Sequence, residues 1–303
     1  MNTVITLVLQ TLTMFLLAAV GYVLFRTGKI TPDGNKVLGN LLIHISLPCV
    51  IINSFIVERT VERMLGLLAS ALGAAVILAV SILCARLFFK KDPIAHFGAA
   101  FSNPGFFGIP LILSSIGSDG VFYIAAFVAF LNLLQWTYGV AVMTGETGGL
   151  TFKKVIKAPF MVAIIVGLLL FFTALPLPGV ITKTLGYIKE LNTPLAMFTV
   201  GVYLAQTNMK KIFFRKSLYA VSAVRLLVVP AIVLVLLCLV PDSWSSMKLA
   251  LLIASACPVG SNVAVYAQLH GQDYPYAVET VIVSTLLSII TIPAITSLAQ
   301  LLW

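Results

Sequence analysis

Charged side chains are scarce in this sequence of 303 residues. They make up 10% of the chain, against about 25% in a typical soluble domain, and only 10 of them are acidic. So few charges cannot cover the surface of a fold of this length in water, which excludes an ordinary soluble domain. Hydrophobic residues make up 60% of the chain and the mean hydropathy is +1.08, so the surface is predicted to face lipid.

Cysteines and catalytic motifs are also sparse. The four cysteines lie far apart, each inside an apolar stretch, so the sequence shows neither a disulfide framework nor the ligand spacing of a zinc site. The chain contains no H-E-x-x-H, G-x-S-x-G or P-loop motif, and its aspartates fall between the apolar runs. These absences argue against an enzyme, and we expect neither a cofactor nor a bound metal.

Ten apolar runs, separated by charged and turn residues, predict an all-α membrane protein with ten transmembrane helices. The predicted spans cover about residues 4–25, 37–57, 64–89, 94–116, 121–143, 155–174, 184–207, 217–240, 247–269 and 276–301. The loops after odd-numbered spans hold 13 of the 19 Lys and Arg residues, and the opposite side holds 5. The positive-inside rule therefore predicts cytoplasmic odd loops, with both termini outside the cytoplasm.

Two pairs of helix-breaking prolines recur at about half the length of the chain. Pro48 in span 2 and Pro194 in span 7 are 146 residues apart, and Pro104 in span 4 and Pro258 in span 9 are 154 residues apart. Many transporters consist of two such halves. Because each half would hold five spans, the second half must enter the membrane from the opposite side. We therefore expect two inverted five-helix repeats, residues 1–148 and 149–303.

Spans 4 and 9 carry the strongest local signal, in the segments Phe101–Pro110 and Ser255–Asn262. Proline lacks an N–H and clashes with the carbonyl four residues earlier, so each segment is predicted to interrupt its helix. In a membrane such breaks survive only where they face protein or water, and each exposes the positive N-terminal end of a half-helix. A single break is more often a packing kink, but two symmetry-related breaks favour a neutral binding site for a carboxylate. The predicted substrate-binding residues are Asn103, Pro104, Gly105, Phe107, Gly108, Pro258, Gly260, Ser261 and Asn262.

Other polar residues and kinks are candidates for the wall of the same cavity. Asn132 and Gln135 lie one helical turn apart, and they either face the cavity or form hydrogen bonds between helices. Pro48 and Pro194 are either kinks that line the cavity or packing kinks. Further candidates beyond the break in span 9 are Tyr266 and Gln268.

Two ionisable residues lie inside predicted spans, which makes both functional candidates. Arg225 in span 8 either pairs with an anionic substrate or, the interpretation we favour, snorkels to the cytoplasmic surface or forms an internal ion pair. Glu279 in span 10 either carries a proton or cation during coupling or pairs with a base near the outer surface. His44 in span 2 has no second histidine at ligand spacing, so it is predicted to be a packing residue.

Several segments resemble the auxin efflux carrier family, which includes plant PIN transporters and bacterial organic-acid permeases. These segments are Asn103–Ile112, Pro194–Ala205, Ser261–Gln268 and Val283–Pro293, and the resemblance extends over essentially the whole chain. It implies a scaffold of spans 1, 2, 6 and 7 and a transport domain of spans 3–5 and 8–10, in which the broken spans 4 and 9 cross, as in bile-acid symporters and NhaA. It also implies a homodimer, an elevator mechanism, and crossover asparagines at Asn103 and Asn262.

We therefore expect a secondary transporter or uniporter of small organic anions, mono- or dicarboxylates, in the bacterial inner membrane. Plant members have a long loop after span 5, whereas the loop is short in this chain, which argues against auxin as the substrate. A sodium- or proton-coupled symporter of the same fold is the first alternative, and a membrane ligand sensor without transport is the second. The expected partners are a carboxylate substrate, the lipid bilayer and a second copy of the chain, but no nucleic acid.

Overall fold

The computed structural model describes residues 3–145, 156–207, 212 and 215–303, and this part of the chain is all-helical. We number its thirteen principal helices in chain order. They are α1 (Thr3–Arg26), α2 (Pro32–Ser54), α3 (Val61–Phe88), α4 (Pro93–Ala100), α5 (Pro104–Ser115), α6 (Ser118–Thr144), α7 (Pro159–Thr173), α8 (Gly179–Glu190), α9 (Asn192–Gln206), α10 (Lys216–Leu237), α11 (Ser245–Ala256), α12 (Asn262–Leu269) and α13 (Tyr274–Leu302). A short 3₁₀ turn, Asp242–Trp244, precedes α11.

Six of these helices, α1, α2, α3, α6, α10 and α13, are long and apolar enough to cross a membrane. They coincide with predicted spans 1, 2, 3, 5, 8 and 10. Predicted spans 4, 7 and 9 each consist of two shorter helices, and predicted span 6 is the 15-residue helix α7. The count of ten spans stays a prediction. The predicted boundary between the two repeats, at residues 148 and 149, lies outside the described residues.

Four helices contain a π-helical turn. These turns are Leu42–Ser46 in α2, Pro104–Gly108 in α5, Gln135–Gly139 in α6 and Val224–Val228 in α10. Three of them are followed, two residues after their last residue, by Pro48, Pro110 and Pro230. Proline cannot donate a backbone hydrogen bond and crowds the carbonyl four residues earlier, so a wider turn just before it relieves both problems.

Helices α1 and α9 pack in backbone contact. A Cβ atom added to Gly201 would collide with the carbonyl group of Ala18, and one added to Gly21 would lie 2.6 Å from Cα of Phe198. Small residues permit this close approach, as they do in many membrane helix pairs. On the outer side of α1, Leu16 is 70% exposed, which suits a surface in contact with lipid.

The remaining helices pack in two groups. The second half of α2 packs against α7 and α8, and its first half packs against α9. On the other side, α3 packs against α4 and α6, while α11 packs against α6, α10 and α13. Most residues of the short helices α4, α5 and α11 are buried, and in α12 the buried residues are Val263, Tyr266 and Ala267.

Candidate functional site

The two helix breaks meet inside the protein. The residues between α4 and α5 pair with those between α11 and α12 through an antiparallel bridge of Ser102 and Val259. The amide of Asn103 donates a 2.9 Å hydrogen bond to the carbonyl of Pro258, and the amide of Gly260 donates a 3.0 Å bond to the carbonyl of Phe101. Each break thus satisfies backbone groups that the other leaves unpaired, which a membrane interior requires.

Both interruptions follow from local sequence. In the first, Pro104 cannot continue the hydrogen-bonding pattern of α4, and Phe101 takes an extended conformation. In the second, the residue before Pro258 is also extended, the conformation that a following proline favours. A Cβ atom at Gly260 would lie 2.9 Å from the carbonyl oxygen of Ser102, so glycine permits the close approach of the two bridged segments.

Arg225 neutralises the C-terminal ends of the two half-helices that lead into the crossing. It is 1% exposed, and its guanidinium donates hydrogen bonds to the carbonyls of Ala99 and Ala100 at the end of α4, at 3.1 and 3.2 Å, and to that of Ser255 in α11. Helix C-termini carry partial negative charge and unpaired carbonyls, so a cation there is stabilising.

The preferred sequence-based interpretations of Arg225 are therefore wrong. The side chain does not snorkel to the surface, because it is buried. Nor does it form an ion pair, because among the described residues no carboxylate lies within 4.0 Å of its guanidinium. The π-helical turn Val224–Val228 carries Arg225, and the residue holds the two C-terminal ends rather than facing the cavity.

The opposite ends of the crossing present amide donors. The Oδ1 atom of Asn103 accepts a 3.3 Å hydrogen bond from the backbone N–H of Phe106 and so caps the N-terminus of α5. The Nδ2 atom of Asn262 donates a 2.8 Å bond to Oε1 of Gln135. Within the described residues no hydrogen bond engages the NH₂ groups of Asn103 and Gln135, so these donors are left for a ligand. A carboxylate, which only accepts, matches such a set.

These residues border a cavity of about 300 Å³. Its polar lining comes from Ser102, Asn103, Asn132, Gln135, Ser261 and Asn262, together with His44. Among the described residues that line it there is no Asp, Glu, Lys or Arg. The Oγ atom of Ser102 is buried and has no hydrogen-bond partner within the described part of the chain.

The structure brings most of the predicted binding residues to this cavity. Predicted residues that line it are Asn103, Pro104, Gly105, Asn132, Gln135, Gly260, Ser261 and Asn262. Asn132 also donates a 2.8 Å bond to the carbonyl of Val128 within its own helix, so its amide nitrogen is already engaged.

Three predicted residues at the breaks lie beside the cavity rather than in its wall. Phe107 is buried against Phe15, with ring centroids 6.1 Å apart. A Cβ atom added to Gly108 would lie 2.9 Å from Sγ of Cys257, so Gly108 serves close packing. Pro258 contributes the carbonyl that accepts from Asn103, which fixes the crossing. These residues build the site without lining it.

The four remaining lining candidates are also not in the cavity wall. The ring of Tyr266 is buried among other aromatic rings, with its centroid 5.1 Å from that of Phe97 and 5.4 Å from that of Trp136. Gln268 is exposed. Pro48 follows a π-helical turn that accommodates it, and Pro194 lies in the first turn of α9, where a missing N–H is tolerated. Local helix geometry therefore explains both prolines.

The cavity also has walls that sequence reasoning missed. They come from α2, α5 and α6 and from the start of α7: Ile43, His44, Leu47, Phe106, Val128, Leu131, Trp136, Ala158, Pro159 and Phe160. The prediction that His44 packs in the bundle is wrong, because the residue is exposed and lines the cavity. Pro48 was the available indication in the sequence. A proline favours a wider helical turn just before it, and such a turn changes the direction in which the side chain of His44 points.

Glu279 belongs to a separate cluster at the ends of helices. Its carboxylate lies 3.2 Å from Arg215, whose guanidinium also lies 3.4 Å from Asp273 and stacks 3.8 Å above the ring of Tyr276. Tyr276 in turn donates a 3.1 Å hydrogen bond to Asp92, which caps the N-terminus of α4. Glu279 thus has a basic partner, and it does not line the cavity.

Comparison with known proteins gives a consistent result. The family model described as "Membrane transport protein" matches residues 3–296. A protein of Rhizobium meliloti named "Putative malonate transporter" is 26% identical over 302 residues, covering 93% of this chain and 92% of the relative. An "Uncharacterized transporter" of Methanothermobacter thermautotrophicus is 24% identical over 297 residues, covering 93% of this chain and 95% of the relative.

Proposed function

The chain belongs to the membrane transport protein family, the family that its auxin-efflux-carrier-like motifs indicate, and we propose that it is a secondary carrier of small organic anions. The substrate binds in the cavity beside the helix crossing. The protein is a membrane transporter rather than an enzyme.

One observation carries this proposal: the amide donors of Asn103 and Gln135 face a cavity whose described lining has no carboxylate. The N-terminal ends of α5 and α12 add partial positive charge at the same place, because helix N-termini favour anions. A binding site that has neutral hydrogen-bond donors and no fixed cation can bind a carboxylate and still release it, which transport requires. The Rhizobium relative is named for malonate, a small dicarboxylate, and we propose carboxylates of this size as substrates.

The proposed architecture is ten spans in two inverted repeats. The antiparallel pairing of Ser102 with Val259 supports it, because equivalent segments of inverted repeats run in opposite directions. So does the break of both predicted spans 4 and 9 at a proline. We further propose a scaffold of spans 1, 2, 6 and 7, a moving transport domain of spans 3–5 and 8–10, an elevator movement and a homodimer in the bacterial inner membrane with both termini outside.

The cavity lies between these two proposed bodies. Ile43, His44 and Phe160 belong to the scaffold, and Asn103, Gln135 and Asn262 belong to the transport domain. Ala158, which caps the start of α7, also lines the cavity.

Flux in proteoliposomes tests the proposal. Purified protein reconstituted in liposomes is expected to move radiolabelled malonate, faster when a potassium diffusion potential is positive on the receiving side. One negative charge gains about 2.3 kcal/mol per 100 mV. Asn103→Ala should reduce the rate about tenfold or more, since it removes a hydrogen bond to a charged group.

Gln268→Ala is the matched control for that experiment, because Gln268 is an exposed amide outside the cavity wall. Its rate should equal that of the wild type. An absolute requirement for sodium or for a proton gradient would point to a coupled symporter instead. Binding of malonate without flux would point to a sensor, and absence of both would remove the proposed function.

A further inference from the structure

Three buried phenylalanine rings lie in contact where the C-terminal ends of α2 and α7 meet the N-terminal end of α6. Phe55 directly follows α2, Phe122 lies in the second turn of α6, and Phe171 lies near the end of α7. The ring centroid of Phe122 is 5.1 Å from that of Phe55 and 5.1 Å from that of Phe171, and each residue is 1% exposed. Phe122 thus packs against both of the other rings. We call these three residues the aromatic cluster.

The same three helices also form walls of the cavity. Leu47 of α2, Val128 of α6 and Phe160 of α7 line it, whereas the three rings of the aromatic cluster do not. A helix rises about 1.5 Å per residue, so the cluster lies about 9 Å beyond Val128 along α6 and about 12 Å beyond Leu47 along α2. The aromatic cluster therefore closes the space between these helices past one end of the cavity.

The aromatic cluster joins the two groups of helices between which the cavity lies. Helices α2 and α7 pack against each other in one group, and a Cβ atom added to Gly167 of α7 would collide with the ring of Phe55. Helix α6 belongs to the other group, and the bond between Gln135 and Asn262 ties it to the helix crossing. Phe122 is therefore the member of the cluster that would move with the helix crossing.

Polar contacts beside the aromatic cluster lie within each group or in the loop between α2 and α3. Arg59 of this loop donates a 2.6 Å hydrogen bond to the carbonyl of Phe172, at the end of α7. Arg63 of α3 lies 3.5 Å from Asp119 of α6, and it donates a 2.9 Å bond to the carbonyl of Glu58 in the loop. The rings of the cluster have no hydrogen-bonding group, so their separation leaves no buried donor or acceptor unpaired.

We propose that the aromatic cluster is a reversible closure of the cavity, which opens when the two groups of helices move relative to each other. This inference rests on the proposed function, because it assigns the residues that control access to the proposed site. A carrier exposes its site to each side of the membrane in turn, and movement of one helix bundle against the other achieves this. Phe122 must then leave the rings of Phe55 and Phe171. Contacts between aromatic rings stabilise the closed arrangement until it does.

A reversible cross-link across the aromatic cluster tests the inference. In a variant whose four native cysteines are replaced by alanine, Phe55→Cys and Phe122→Cys are joined by a short bifunctional methanethiosulfonate reagent. The cross-link should reduce the flux of radiolabelled malonate in proteoliposomes at least tenfold, because the two groups can no longer separate at the cluster. Dithiothreitol, which cleaves the cross-link, should restore the flux and so show that the protein is folded.

The matched control is Phe55→Cys with Gly167→Cys, two positions that pack against each other within the α2 and α7 group. The same reagent should leave the flux of this variant unchanged, because both groups remain free to move. The inference is overturned if the cross-link between positions 55 and 122 leaves the flux unchanged, or if the control cross-link reduces it equally.

A second measurement needs neither a cross-link nor flux. In the cysteine-free variant, Val128→Cys reports access to the cavity as the rate of labelling by a membrane-impermeant maleimide applied on the side of the aromatic cluster. Phe122→Ala should increase this rate about tenfold, because it removes two aromatic pairs. Phe172→Ala removes a ring that is 48% exposed and lies next to Phe171, and it should leave the rate unchanged.

The labelling result separates this inference from the proposed function. An unchanged rate in Phe122→Ala, or an equal increase in Phe172→Ala, would overturn the role of the aromatic cluster even if the wild type transports malonate. Failure of the wild type to bind or move malonate would instead remove the proposed function.

Discussion

The side-chain amide of Asn262 donates a 2.8 Å hydrogen bond to the side-chain oxygen of Gln135, residues that are 127 positions apart in the chain. This bond ties the first residue of α12 to the π-helical turn of α6. It also orients Gln135, so that its NH₂ group is the one available at the cavity. Gln135, which lies in the unbroken helix α6, is thus bonded to the crossing of the two broken helices.

The substitution Gln135→Glu should abolish anion binding. The carboxylate side chain would keep the size of the amide and still accept from Asn262, but it would replace an NH₂ donor by a negative charge in the wall of the cavity. A like charge there repels a carboxylate, and we expect malonate affinity to fall about a hundredfold or more. Binding calorimetry on monodisperse protein measures this change. Gln268→Glu places the same charge on an exposed site and should bind as the wild type does.

Arg225→Gln should destabilise the fold rather than alter substrate selectivity. The variant would leave carbonyls of α4 and α11 without the charged donor that now pairs with them. Hydrogen bonds to charged groups contribute about 1.5–3 kcal/mol each, so we expect a loss of about 3 kcal/mol or more. A thermal unfolding scan in detergent should show a large fall in Tm.

The control for that substitution is Arg215→Gln, because Arg215 is partly exposed and its ion pairs lie outside the helix crossing. The Arg215 side chain is 40% exposed and its loss leaves no fully buried charge-assisted bonds unmade, so Tm should fall much less than in Arg225→Gln. If Arg225→Gln unfolds at the wild-type temperature but no longer binds malonate, the residue acts on substrate instead, and the structural role assigned to it is wrong.

Gly201→Leu should separate α1 from α9. A side chain at this position would collide with the backbone of Ala18, which cannot move without displacing a whole helix. We expect the free energy of unfolding to fall by about 3 kcal/mol or more, the upper end of the destabilisation that overpacking causes. The measurement is again the midpoint of thermal unfolding. Gly186→Leu, at a helical glycine with open space around it, should leave the midpoint within a few degrees of the wild type.

The two helix breaks were predictable because proline and glycine act locally. Pro104 and Pro258 each have a glycine within two residues, a combination that favours a break, and inverted symmetry suggested that the two breaks meet. The partners of Arg225 were not predictable. Its hydrogen-bond acceptors are backbone carbonyls of α4 and α11, and carbonyls carry no signal in the side-chain sequence.

His44 illustrates a second limit. The sequence shows a single histidine in an apolar helix, for which packing is the ordinary interpretation. Its exposure to the cavity depends on the π-helical turn that precedes Pro48, which changes the direction of every side chain in it. A proline a few residues after a candidate polar position is therefore a useful indication that the position does not follow regular α-helical periodicity.

The central claim is that the crossing of the two breaks holds a carboxylate, and the most direct test is malonate affinity in Asn103→Ala and Asn262→Ala. Asn103 provides an NH₂ donor, and Asn262 orients the donor of Gln135. Each variant should fold as the wild type does and bind malonate about tenfold or more weakly, since each removes or misplaces a hydrogen bond to a charged ligand. Wild-type affinity in both folded variants would contradict the claim and place the anion elsewhere.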